Sequence, residues 1–340
     1  MMRLLFMLIM FFPLLSKGQQ VDETKPELYT GIPTNTLAET IGYVRGQEQA
    51  LIYIADRYPH LTKEVNKAII AFESRFGNSY DNMQADLKER LGSDYVKVDD
   101  SLRTRLENYF LNSDVSRTEA ESFIQTVMER AAGVVESPYK EILLTYQYWK
   151  TPHSEYREGF IQKRCYQLSD NAGEFCISLP ESWKEQSPDR PNILTKYVRA
   201  VGYGIDQFMI EIYELPTEFV EANYTDVEIG EAFIDSEVIS AFIPEGTTIE
   251  RKSVIKIDGQ VGVYVVYHVV RQILEHNIQL KISTYFIIYS DVILKCTGFV
   301  GSPLNIEEYH WESTKTRHQR LKPLFDMIAS SIVFSQKWEE

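Results

Sequence analysis

The spacing of apolar residues changes once along the chain, near Lys150-Thr151-Pro152. Before this point apolar side chains recur every three or four residues, which is the spacing of one buried helix face. After it they recur mostly every second residue, which is typical of β-strands. The sequence therefore predicts an all-α region followed by a separate strand-rich domain.

The all-α region is predicted for residues 36–150. Two capping boxes, Thr36-x-x-Glu39 and Ser116-x-x-Glu119, indicate helix starts. Pro59 is expected to end the first helix, and Thr62 to open the second. Further helices are expected over 83–91 and 102–110. The last segment, 138–149, fits either a helix or a strand, and the helix is favoured. Each helix has one apolar stripe, so we expect them to pack together as a bundle.

The strand-rich domain is predicted for residues 160–336, with two helices, 226–242 and 315–330. Short turns such as Asp258-Gly259 join consecutive strands, which indicates antiparallel pairing in meander order and an α+β fold. GVYVVYHVV and STYFIIY are apolar on both faces, so both sheet faces should be covered. The strands are expected over 161–168, 174–179, 195–201, 207–213, 248–257, 262–274, 279–289, 292–299 and 332–334.

The segment FCISLPESWKEQSPDRP interrupts this pattern in the middle of the chain. Pro180 should end the strand over 174–179, because proline cannot donate a hydrogen bond to a sheet ladder. Trp183 follows three residues later, and we expect its ring to cover the end of the sheet.

The first eighteen residues, MMRLLFMLIMFFPLLSKG, predict a signal peptide: a basic start, an apolar core and a small-residue exit. A membrane anchor is the alternative, but a spanning helix needs about 20 apolar residues, and Pro13 interrupts this shorter run. We expect cleavage near Gly18 or Gln19, giving a periplasmic or secreted protein without a stable transmembrane anchor. No cysteine follows the apolar run to carry a lipid.

The net charge of −14 argues against nucleic acid as a partner, since phosphate binding needs clustered Lys and Arg. Cys165 and Cys176 flank the turn segment SDNAG and should face each other across a hairpin. Export permits a disulfide between them, while two small buried thiols are the equal alternative. Cys296 is expected to be a buried strand residue.

Three features resemble PsbP-like proteins, the extrinsic photosystem II subunit and its bacterial relatives. They are the strand-Pro-x-x-Trp segment with Pro180 and Trp183, Asp258-Gly259 before a long strand, and the final helix Leu324-Phe325-x-x-Ile328-x-x-Ser331. The resemblance covers about residues 165–334 and implies an α/β/α sandwich that docks on other proteins. It implies no active site, and the N-terminal helices resemble only uncharacterised exported bacterial proteins.

Motifs for catalysis, metals and cofactors are not found. The chain has no G-x-S-x-G elbow, and Glu307-x-x-His310 is one half of a di-iron motif without its second copy. Tyr203, His310 and Trp311 are expected in loops, where aromatic side chains are enriched at contact sites. They are the weak candidates for a binding surface.

The sequence therefore favours an exported, non-enzymatic binding or assembly module of the cell envelope with a protein partner. The alternative is a hydrolase or metal-dependent enzyme whose site is assembled from residues distant in sequence, since the chain has six histidines and many acidic residues.

Overall fold

The computed structural model describes residues 32–335 except 112, 170–172, 189, 200–205, 218, 220–225, 236, 274–275 and 304–308. These residues divide into two compact units, one ending at Trp149 and the other beginning at Lys150. The boundary coincides with the change in apolar spacing.

The first unit is a helical bundle. Helix α2 lies at its centre, since α1, α4 and α5 all pack against it. Aromatic side chains of α2, including Phe72 and Phe76, are buried there. The helices are α1 (Thr34–Arg57), α2 (Thr62–Leu91), α3 (Tyr95–Leu111), α4 (Arg117–Ala132) and α5 (Lys140–Gln147).

One predicted helix start is confirmed and one is wrong. At α4 the Ser116 hydroxyl oxygen accepts a bond from the Glu119 N–H at 3.3 Å, and the Glu119 carboxylate accepts one from the Ser116 N–H at 3.0 Å. Helix α1 instead begins at Thr34, with Pro33 as its N-cap. The Thr36 carbonyl already accepts a bond from the Thr40 hydroxyl inside the helix.

Helix α2 runs unbroken through 83–91, where the sequence predicts a separate helix. Gly77 lies in its interior, and a helical glycine costs about 1 kcal/mol relative to alanine. The buried positions continue in phase across it, from Phe76 to Met83 and Leu87. Burial of this continuous stripe outweighs the glycine penalty, since one large side chain contributes about 1.5–3 kcal/mol.

The second unit confirms the predicted α+β class with an antiparallel sheet. Its helices are α6 (Pro152–Arg157), α7 (Asp226–Asp235), α8 (Glu237–Phe242) and α9 (Tyr309–Ser330). Its strands are β1 (Ile161–Ser169), β2 (Gly173–Pro180), β3 (Lys184–Gln186), β4 (Ile193–Val198), β5 (Gln207–Glu214), β6 (Thr248–Ile257), β7 (Gln260–Ile273), β8 (His276–Tyr289), β9 (Val292–Pro303) and β10 (Val333–Phe334).

The strands form two sheets rather than one. The larger has the order β3-β4-β5-β9-β8-β7-β6, and the smaller has the order β1-β2-β10; all pairs are antiparallel. The meander is confirmed for β6 to β9. Sequence periodicity does not predict that β9 then pairs with β5, because that contact joins strands about 80 residues apart.

Each face of the large sheet has its own core. On one face, α9 and the inner side of β2 pack against the sheet through Phe325, Trp183 and Phe175. On the other, Phe233 of α7 and Ile239 of α8 cover β7, β8 and β9. The expectation that both faces are covered is therefore met within this unit.

Trp183 is 2% exposed, and its ring meets Phe325 edge-on at 6.2 Å between centroids. Phe325 lies directly over Gly298 of β9. An added Cβ at Gly298 would come within 2.5 Å of the Phe325 ring. Helix α9 can approach the sheet this closely because position 298 has no side chain.

We expect Gly298→Ala to destabilise the strand-rich unit by about 1–3 kcal/mol, because overpacking displaces a buried ring. Gly77→Ala is the matched control, since its added methyl group would have no neighbour closer than 3.9 Å. That change should be neutral or stabilising, as alanine is the better helix former. Urea unfolding followed by circular dichroism measures both. Equal stability of Gly298→Ala and wild type would contradict the packing.

Candidate functional site

The sequence singles out Tyr203, His310 and Trp311 as weak candidates for a binding surface. Tyr203 falls within 200–205, outside the described residues. His310 and Trp311 belong to the first turn of α9, so their predicted loop placement is wrong. The apolar stripe that begins at 315 in the sequence marks only the part of this helix that packs on the sheet.

The predicted hairpin partners Cys165 and Cys176 are direct cross-strand neighbours, and their sulfurs are bonded. Cys165 is exposed and Cys176 is buried. Cys296 is a buried free cysteine on β9, and burial raises the pKa of its thiol above the ordinary value.

A cavity of about 240 Å³ opens in the helical unit where α4 ends and α5 begins. Three basic side chains from three helices contribute to its wall: Arg75 of α2, Arg130 of α4 and Lys140 of α5. Its other lining residues are Phe76, Gly133, Val134, Val135, Glu136 and Ser137.

Arg130 is the buried cation of this cavity, with 4% of its surface exposed. One guanidinium nitrogen donates to Gln47 Oε1 at 3.2 Å, and the group lies 5.8 Å from the centre of the Tyr43 ring. Its Nε is buried and has no hydrogen-bond partner among the described residues. No described acidic side chain forms an ion pair with it. A buried donor of this kind costs about 1–3 kcal/mol while it is unsatisfied.

The rest of the wall combines positive charge with apolar surface. Arg75 packs against Gly133, where an added Cβ would lie 3.1 Å from its guanidinium. Glu136 is the single acid among the lining residues, and it is exposed. Val134 is 75% exposed at the rim. Guanidinium groups bind planar carboxylates and phosphates through paired N–H donors, so the cavity suits a small organic anion.

The sequence contains no signal for this site. Arg75, Arg130 and Lys140 are up to 65 positions apart and match no phosphate-binding or carboxylate-binding motif. A helical-wheel reading could have singled out Arg130, because it shares the buried face of α4 with Val127 and Ala131.

A serine and a histidine meet in the strand-rich unit, as the enzyme alternative would require. His318 Nε2 and Ser283 Oγ are 2.9 Å apart, and Tyr264 lies 3.2 Å from the same hydroxyl. Ser283 is fully buried and His318 is 3% exposed, so a substrate cannot reach the pair in this conformation. Burial lowers the pKa of His318 to about 4, which keeps the imidazole neutral.

A second cluster of buried polar side chains connects α6 and α9 to the ends of two strands. Arg317 of α9 donates to Asp206, which also lies 3.7 Å from Arg199. Glu155 of α6 accepts bonds from the Ser182 amide at 2.8 Å and the Ser182 hydroxyl at 2.7 Å. These contacts attach α6 to the segment that follows Pro180 and attach α9 to the start of β5.

Burial shifts the pKa values of two residues in this cluster, Glu155 and Arg199, in opposite directions. It raises the pKa of Glu155 to about 7, although the Ser182 hydrogen bonds act against it. It lowers the pKa of Arg199 to about 10, although Asp206 acts against it. Asp206 pairs with both Arg199 and Arg317, and Ser182 binds Glu155, so we assign this cluster a structural role.

Comparison with known proteins finds likeness at the level of fold alone. Cyanobacterial PsbP from Synechocystis is 15% identical, with 52% of this chain and 94% of that chain covered and a TM-score of 0.31. The Ran-binding protein Mog1p of Saccharomyces cerevisiae is 12% identical, with 51% and 96% covered and a TM-score of 0.32. LpqN of Mycobacterium tuberculosis, described as involved in cell envelope biogenesis, is 9% identical, with 54% and 96% covered and a TM-score of 0.31.

These alignments cover about half of this chain, and one of them is to a PsbP structure, the family that the sequence resembles. No family model and no curated protein matches the sequence. Among the described helices, none combines the length and the hydropathy needed to cross a bilayer.

The pKa of Glu155 predicts how stability depends on pH. The folded chain holds this proton more tightly than the unfolded chain, whose carboxyl has its ordinary pKa near 4.5. The resulting stabilisation is fully present below about pH 4.5 and is lost as pH rises through about 7. Wild type should therefore lose stability relative to Glu155→Gln between about pH 5 and about pH 8, by an amount on the order of 2–3 kcal/mol.

Urea unfolding at a series of pH values tests this. Glu158→Gln, which neutralises an exposed carboxyl three residues away, is the matched control for the loss of one negative charge. His318 contributes the opposite slope between about pH 4 and about pH 6.5, so the comparison uses differences between variants. Parallel profiles for wild type and Glu155→Gln would contradict the assignment.

Proposed function

We propose that the protein is a non-enzymatic binding protein whose helical unit takes a small organic anion, a carboxylate or phosphate ester, into the cavity around Arg130. The buried Arg130 guanidinium, with no acidic partner and with an unused donor at Nε, is the observation that carries the proposal. Native buried polar groups nearly always have a partner, and a bound anion would supply it.

The charge of the cavity supports the proposal. Arg75, Arg130 and Lys140 face one exposed acid in a chain whose net charge is −14. A local concentration of positive charge on an acidic protein attracts anions that the rest of the surface repels. Phe76 and the two valines offer apolar contact to the remainder of the ligand.

We further propose that the protein acts after export, as an envelope binding or assembly module with a protein partner. The support is the apolar leader over 1–18, which lies outside the described residues, and the net charge of −14, which argues against a nucleic-acid partner. The helical unit would then bind the anion while the strand-rich unit docks on the partner.

Binding to Arg130 is testable by calorimetry with the mature protein, using phenyl phosphate and benzoate as probes. At least one should bind, and affinity should fall as salt concentration rises. Benzylamine, of the same size but opposite charge, should not bind. Arg130→Met should weaken binding by about 10- to 100-fold, the effect of losing a charged hydrogen bond.

Lys140→Ala is the second variant, with Lys88→Ala as its charge-matched control on an exposed position of α2. Lys140→Ala should weaken binding and Lys88→Ala should not. Circular dichroism shows whether each variant keeps its helical content. No binding of either anion by folded wild type, or equal binding of benzylamine, would overturn the anion assignment.

Export predicts a shortened chain. Intact-mass analysis of the protein purified from its source cells should give a mature N-terminus near Gly18 or Gln19, and fractionation should place it outside the cytoplasm. A full-length mass in the cytoplasmic fraction would contradict export but would leave the cavity assignment unaffected.

A further inference from the structure

The β1–β2 hairpin carries three metal-ligating side chains on one face. Cys165 of β1 lies directly opposite Cys176 of β2, and Glu174 precedes Cys176 by two residues. Residues two apart in a strand point to the same side of the sheet. The two sulfurs and a Glu174 carboxylate oxygen therefore lie within 4.8 Å of one another.

A tetrahedral metal ion sets a narrower separation. Thiolate sulfur binds zinc at about 2.3 Å and carboxylate oxygen at about 2.0–2.2 Å, so two ligands of one tetrahedral ion lie about 3.5–3.8 Å apart. Glu174 Oε1 lies 3.9 Å from Cys176 Sγ, and the two sulfurs can reach such a separation only after the disulfide between them is reduced. Thiolates favour thiophilic ions such as Zn²⁺ over Mg²⁺ or Ca²⁺.

We propose that Cys165, Cys176 and Glu174 form a redox-controlled site for a thiophilic divalent cation, closed while the two sulfurs are bonded and open once they are reduced. The site is independent of the anion cavity, which lies in the other unit.

Opening requires a dithiol reductant. Its thiolate attacks the sulfur of exposed Cys165, forms a mixed disulfide there and releases Cys176 as thiolate. The second thiolate of the reductant then attacks the other sulfur of the reductant, which is bonded to Cys165 in that mixed disulfide. Cys165 is released, and the reductant leaves as a cyclic disulfide. Two electrons pass to the protein, and two protons accompany them once both thiolates are protonated.

The open site binds the cation through two thiolates and one carboxylate, and water completes a tetrahedron. Both thiols lose their protons on binding, so affinity rises with pH. In the closed state neither sulfur is a thiolate, which is the form that binds metal ions, and only the exposed carboxylate of Glu174 remains as a ligand. Metal binding and the disulfide therefore exclude each other.

Cd²⁺ and Zn²⁺ are the probes for the test. The full chain is reduced with dithiothreitol, freed of reductant under anaerobic conditions and titrated with Cd²⁺, whose thiolate bonds absorb in the ultraviolet. Zn²⁺ is measured by competition with a chromophoric chelator. We expect one equivalent of metal per reduced chain and none per oxidised chain.

Three variants locate the site. Cys165→Ser should abolish the thiolate absorption typical of two sulfurs. Glu174→Gln should weaken binding by at least about 10- to 100-fold, the loss seen when only outer contacts of a metal site are removed. Cys296→Ala should bind as wild type does, because that thiol lies in the core on β9. Equal binding by oxidised chain, or unchanged binding by Cys165→Ser, would overturn the proposal.

Discussion

The strand-rich unit depends on one constraint: its central strands are apolar on both faces. Strands β7, β8 and β9 place Val265, Phe286 and Ile293 on one side and Tyr264, Ile287 and Leu294 on the other. Apolar area contributes about 25 cal/mol per Å² only when it is removed from water. Both faces must therefore be covered, which fixes α7 and α8 on one side and α9 with β2 on the other.

Because α9 lies close to the sheet, the polar side chains of that helix are buried against the strands. With Phe325 over Gly298, the same helix carries Arg317 to Asp206 and His318 to Ser283 in the dry interior. Burying charges is expensive unless they are paired with good geometry, so such contacts favour one placement of the helix over nearby alternatives. The serine and histidine of this face are in contact with each other and are buried beneath that helix.

The two proposed binding sites differ from the buried polar contacts of α9 in the partners and the exposure of their side chains. Arg130 keeps a buried donor without a partner, and Cys165 with Glu174 lies exposed on a hairpin. Arg199 and Arg317, in contrast, are each paired with Asp206. The presence of an acidic partner therefore distinguishes these arginines from Arg130.

The sequence by itself determined the α+β class, the Ser116 helix cap and the cross-strand position of Cys165 and Cys176, and it predicts a division near Lys150. These depend on periodicity, capping and turns, which act over a few residues. Only the tertiary structure decided that β5 pairs with β9, that the strands form two sheets and that Arg75, Arg130 and Lys140 share one cavity. These contacts join residues far apart in sequence, and packing selects them through burial and charge that no local pattern records.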